Sequence, residues 1–224
     1  MGDAQLRIQV DEKTGAVTGL WREPPDAKAL YVFAHGAGAG MRHAFMEAAS
    51  ESLAERGVAT LRYAFPYTEA GTRRPDHRSV LEKTVRAAVA AGVARAEGRP
   101  VFAGGKSMGG RMTSRAAAAE ALPGVAGLVF FGFPLHAAKK PSTERADHLA
   151  DVDVPMLFLQ GTRDALCDLE LLRPLCRELG ARATVHEALG AEHGFHVLKR
   201  SGRTDEEVLA ELAERTAAFA AEHP

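Results

Sequence analysis

The stretch VFAGGKSMGGRM, residues 101–112, crowds four glycines around a single serine. Glycine weakens strand and helix interiors, so such crowding marks a close approach to the backbone or a turn with unusual dihedrals. Val101 to Ala103 reads as a short buried strand and Arg111 to Ala121 as a helix, which puts Ser107 on the turn between them. Gly105-Lys106-Ser107-Met108-Gly109 satisfies G-x-S-x-G, in which a serine takes strained dihedrals at a sharp strand-to-helix turn and only small neighbours two positions away fit. The turn exposes the serine oxygen at a helix N-terminus, where the N–H groups of Ser107 and Met108 face an incoming anion. The plainer alternative, a glycine-rich loop with a capping serine, does not account for this placement between strand and helix.

Outward from this turn, short branched runs alternate with segments of helical period. Leu6 to Val10 and Val17 to Trp21 flank a Lys-Thr-Gly turn and predict an antiparallel hairpin. Leu30 to Ala34, Val58 to Tyr63, Leu128 to Phe131, Met156 to Leu159 and Ala183 to Ala188 predict further strands, most of them apolar on both faces as parallel strands are. Between them run apolar helical faces: Met46, Ala49 and Leu53; Leu81, Val85, Ala88 and Gly92; Leu172, Leu175, Cys176 and Leu179; Val208, Leu212 and Phe219. The alternation predicts one α/β domain over 1–224, a mostly parallel doubly wound sheet with helices on both faces and an antiparallel N-terminal hairpin. His136 to Asp153 is short and polar, suited to a loop or small helix rather than a cap domain, which predicts an open, shallow site.

Composition narrows the function. The 224 residues are 46% hydrophobic and 25% charged, with a formal net charge of -1. That balance supplies no global field for nucleic acid or an anionic membrane. No basic start with an apolar run marks a signal peptide, and no stretch is long and apolar enough to span a bilayer, so a cytoplasmic chain is expected. Cys176 lies in a segment read as a helix from Asp168 to Leu179 and Cys167 immediately precedes it; nine positions at helical spacing separate them by roughly 13 Å, beyond the reach of a disulfide. Two reduced, buried thiols are expected, with neither metal spacing nor C-x-x-C.

A reactive serine needs a base and an orienting acid. Asp164 follows the strand Met156 to Leu159 at its carboxyl end, where open parallel sheets place ligand-contacting residues. Asp168 competes, but its position at a predicted helix start suits a cap. Of nine histidines, His193 in GAEHGFH follows the last strand in a glycine-flanked loop. His196 is its rival, and His35 suits a role in shaping its own loop. In FAHGAGAGMRH, residues 33–43, glycine is missing where Met41 stands, so a dinucleotide fingerprint fails, and a phosphate loop lacks its Gly-Lys-Ser/Thr. The H-G-x-G form instead suits an oxyanion hole, with an N–H near Ala37 paired with that of Met108.

The order Ser107, Asp164, His193 is that of the α/β-hydrolases. Over nearly its whole length the sequence resembles that superfamily. AHGAGAGM, LRYAFPY (61–67), RRPD (73–76), GGKSMGGRM and GAEHGFHV are similar to the small lidless group that includes testis-expressed protein 30 and the hydrolase-like domain of a chromatin-complex subunit. Dienelactone-hydrolase-like enzymes are broader relatives. The resemblance implies a Ser107, Asp164, His193 triad with Ala37 and Met108 as oxyanion donors. The expected function is a serine hydrolase that cleaves esters or thioesters of small acyl groups, a chemistry that requires no metal or organic cofactor. An acyltransferase or peptidase could use the same residues, and a non-catalytic interaction module is the rival from another class. Arg62 and Arg74, outside the triad, are expected in structural ion pairs, with a substrate carboxylate as the sharper alternative.

Overall fold

In the computed structural model, which describes residues 2–224, the branched runs become eight strands of one sheet. They are β1 (Ala4–Asp11), β2 (Gly15–Arg22), β3 (Ala29–Ala34), β4 (Val58–Tyr63), β5 (Val101–Lys106), β6 (Val125–Phe131), β7 (Met156–Gly161) and β8 (Ala183–Ala188), in the order β1-β2-β4-β3-β5-β6-β7-β8. β1 pairs antiparallel with β2, β2 antiparallel with β4, and every other neighbour is parallel. The helices are α1 (Ala44–Ala54), α2 (Pro66–Glu69), α3 (Arg78–Val93), α4 (Met108–Ala119), α5 (Leu169–Leu179) and α6 (Asp205–Glu222).

Strand periodicity divides the core into two layers, because successive side chains point to opposite faces. Leu30, Val32 and Ala34 of β3 face Leu81 and Val85 of α3, Met112 and Ala116 of α4 and Leu172 of α5. Tyr31 and Phe33 of the same strand face Met46 and Leu53 of α1 and Val208, Leu212 and Phe219 of α6. All six residues of β3 and of β4 are buried, as central parallel strands require. The predicted helical faces are the buried ones; Leu175 alone is half-covered.

Two boundaries differ from the sequence expectation. β5 runs three residues further, through Gly104 and Gly105 to Lys106, and α4 begins at Met108 rather than Arg111. Both shifts come from reading glycine as a breaker. Here the strand and helix continue through glycine because neighbouring backbone lies against it: a Cβ on Gly105 would stand 2.4 Å from the Ala34 carbonyl oxygen, and one on Gly109 2.5 Å from the same atom. The segment after β6 forms a short 3₁₀ helix, Glu144–Asp151, in place of a cap domain. Among the described residues no helix is long and apolar enough to cross a membrane.

Candidate active site

Ser107 occupies the single position between β5 and α4, with φ 52° and ψ -116°. A non-glycine residue at positive φ costs about 1 to 3 kcal/mol and persists where the surroundings over-determine it. They do so here: Ser107 N–H donates to the Phe131 carbonyl at 3.1 Å, and Gly105 and Gly109 let β5 and α4 close on β3. The strained turn lifts the hydroxyl off the sheet's carboxyl edge.

Asp164 and His193 come to that hydroxyl from two other strand ends. The His193 Nδ1 and Asp164 Oδ2 are 2.7 Å apart, and the His193 Nε2 lies 2.9 Å from the Ser107 Oγ. With Nδ1 donating to the carboxylate, Nε2 is left to accept the serine proton. Asp164 also accepts from Gln160 Nε2 at 2.6 Å and from the Leu166 amide at 2.7 Å. Its side chain is fully buried while that of His193 is 25% exposed, so the carboxylate is sealed and the ring reaches the surface of the site.

The rivals lie elsewhere. Asp168 caps α5, accepting from the Glu170 amide at 2.9 Å. His196 turns outward to Asp205, 2.6 Å away, and that hydrogen bond raises its pKa. His35 is buried: its Nδ1 donates to the Gly36 carbonyl at 2.8 Å and its Nε2 accepts from the Phe65 amide at 3.2 Å. Burial holds it neutral, with a pKa of about 4.

The loop after β3 carries Ala37, whose N–H has no acceptor among the described residues; the Met108 N–H belongs to the open first turn of α4. FPY and RRPD hold this loop. The Gly38 amide donates to the Tyr67 hydroxyl at 3.3 Å, and the Tyr67 amide donates to Asp76 Oδ2 at 2.8 Å. Arg62, fully buried, donates to the Met41 carbonyl at 3.0 Å and pairs with Asp3, so it is structural as expected. Arg74 is not: it is exposed and forms no ion pair among the described residues, because the turn that carries it faces solvent. Cys167 and Cys176 are both buried free thiols, and burial pushes the Cys176 thiol up to about 12.

A cavity of about 730 Å³ opens beside Ser107 and His193, walled by Phe45, Met46, Phe195 and Leu209. Its walls come from the N-terminal turns of α1 and α6 and from the loop after β8 rather than from a cap. Sequence reading also passed over Lys106, the variable residue of G-x-S-x-G. Its Nζ donates to the His193 carbonyl at 2.6 Å and lies 5.7 Å and 5.4 Å from the ring centres of Phe45 and Phe195. Burial lowers its ammonium to about 8. Its place next to the serine, at the end of a strand pointing into the site, was the available signal.

The chain belongs to the α/β hydrolase family: the family model of the alpha/beta hydrolase domain matches residues 27–221. Solved structures share the fold. A lidless α/β serine hydrolase from Xanthomonas campestris is 21% identical, with 96% of this chain and 95% of that chain covered and a TM-score of 0.71. A dienelactone hydrolase from Anabaena variabilis is 19% identical over 99% and 97%, with a TM-score of 0.75. The esterase domain of a Rhodothermus marinus protein is 17% identical over 98% of each chain, with a TM-score of 0.72.

Proposed function

We propose that this protein is a serine hydrolase that cleaves esters or thioesters of small acyl groups through an acyl-enzyme. The observation that carries the reading is the unbroken hydrogen-bonded line from Ser107 through His193 to Asp164 at the mouth of an apolar cavity. His193 takes the Ser107 proton as the oxygen attacks the acyl carbon, and Asp164 holds the ring tautomer and stabilises the imidazolium. The N–H groups of Ala37 and Met108 receive the oxygen that becomes negative; losing one such donor costs roughly 3 to 4 kcal/mol of transition-state stabilisation. The imidazolium then protonates the departing alcohol or thiol, and a water activated by the same ring releases the acid. The dienelactone hydrolase and esterase neighbours are consistent with this chemistry.

Labelling with a fluorophosphonate, followed by intact mass, tests it. A single adduct on the wild type and none on Ser107→Ala is expected. A folded wild type that takes no adduct would refute the reading.

A further inference from the structure

Lys106 is a half-buried charge that the proposed reaction does not use. Its ammonium has three protons, and its one hydrogen-bond acceptor among the described residues is the His193 carbonyl. The nearby acids are committed elsewhere: Asp164 to His193, Gln160 and Leu166, and Glu192 to the Gly194 amide at 2.9 Å. A charge taken out of water without a close counter-ion is costly, and the protein retains this one at the edge of the cavity.

We propose that Lys106 makes the cavity beside Ser107 selective for acyl groups that carry a carboxylate of their own. The inference rests on the serine-hydrolase reading and names the substrate class of that site.

Position supports it. A Cβ on Gly132 would lie 3.1 Å from the Lys106 Nζ and 3.4 Å from the His193 Nδ1, so the ammonium flanks the base. The same cavity is lined by Ser107, by the apolar side chains of Phe45, Met46 and Leu209, and by Lys106, so an acyl chain that enters it shares its walls with the ammonium. One ammonium among aromatic rings suits a monoanion; a phosphate dianion calls for more donors. The other charged or titratable groups facing the cavity are His43, His196 with its partner Asp205, and Glu206 in the first turn of α6. Glu206 works against an anion, which makes it an informative control.

The reaction balances as an ordinary half-ester hydrolysis. The bond from the acyl carbon to the alcohol oxygen breaks, a bond to Ser107 forms, and the alcohol leaves with the proton held by His193. Water then supplies the oxygen of the new acid, which ionises and releases one proton.

The test compares monoethyl glutarate with ethyl valerate by pH-stat at pH 7, in the wild type, Lys106→Met and Glu206→Gln. The wild type should favour the half-ester at least tenfold in kcat/KM. Lys106→Met should remove that preference whatever it does to the neutral ester, and Glu206→Gln should enlarge it. Equal losses on both esters in Lys106→Met would overturn the proposal, since Lys106 would then serve only to hold the His193 loop. Calorimetric binding of monoethyl glutarate and ethyl valerate to Ser107→Ala, with and without Lys106→Met, is independent of turnover. Half-ester preference lost at least tenfold with Lys106→Met supports the inference even if no ester is cleaved; absence of any half-ester preference overturns it even if esters are cleaved. Should Lys106→Met fail to fold by circular dichroism, Lys106→Gln takes its place in both measurements.

Discussion

The Ser107 hydroxyl and Nε2 of His193 stand 2.9 Å apart although 86 positions separate them in the chain. The contact exists because β5 and β8 end on the same edge of the sheet, and it underlies the first prediction. Ser107→Ala and His193→Ala should each lower ester kcat/KM by at least roughly 10²- to 10⁴-fold. Circular dichroism should remain that of the wild type. Near-full activity in either purified variant would remove that residue from the reaction.

Gly109→Ala should damage the fold more than its one methyl suggests. The new Cβ would fall 2.5 Å from the Ala34 carbonyl oxygen and 2.7 Å from that of His35, both backbone atoms that cannot swing aside. A loss of about 2 kcal/mol or more is expected in urea denaturation. Wild-type stability would show that α4 can lift off β3 freely.

Tyr67→Phe removes the oxygen that accepts from the Gly38 amide while leaving the ring stacked on Phe65 and edge-on to His35. Stability should change by about 1 kcal/mol or less. If this bond steadies the loop that carries Ala37, kcat should fall several-fold with little change in KM. Unchanged kinetics would mean that the loop is held by Arg62 and His35 alone.

Acid should destabilise the protein through two histidines, His35, which is buried, and His148, which is half-buried. Burial lowers both His35 and His148 to about 4, with Arg115 and Arg111 adding to the effect at His148. The unfolded chain binds protons at these rings below about 6.5, where the folded chain still excludes them. Their stabilising contribution is therefore full above that pH and is lost as pH falls toward 4. At pH 5 the loss is about 2 kcal/mol for the sealed His35 and less for the partly open His148. Urea midpoints at pH 7 and pH 5 measure the sum; His148→Gln should flatten the dependence, and an unchanged slope would exclude His148 from it.

Much of the fold was legible locally. The bounds of β4 and β8 coincide with the predicted runs, and the buried faces of α1, α3 and α6 are the predicted ones, because burial on two sides or on one stripe writes itself into apolar spacing. The start of α4 was misplaced because glycine's low helix propensity is local, whereas the carbonyl that demands glycine at 109 belongs to β3. Lys106 was passed over for a similar reason: its burial, its bond to His193 and its place over two rings depend on α1 and on the loop after β8.

The sequence by itself determined the order of strands and helices, the family resemblance and the short roster from which Ser107, Asp164 and His193 were drawn. These depend on periodicity and on residue chemistry within a few positions. Only the tertiary structure set His193 rather than His196 beside Ser107, turned Asp168 into a cap, buried Arg62 and left Arg74 in solvent, and walled a cavity beside the serine with α1, α6 and the loop after β8. Each of those outcomes is a distance between elements remote in the chain, and such distances arise only once the sheet brings its strand ends to a common edge.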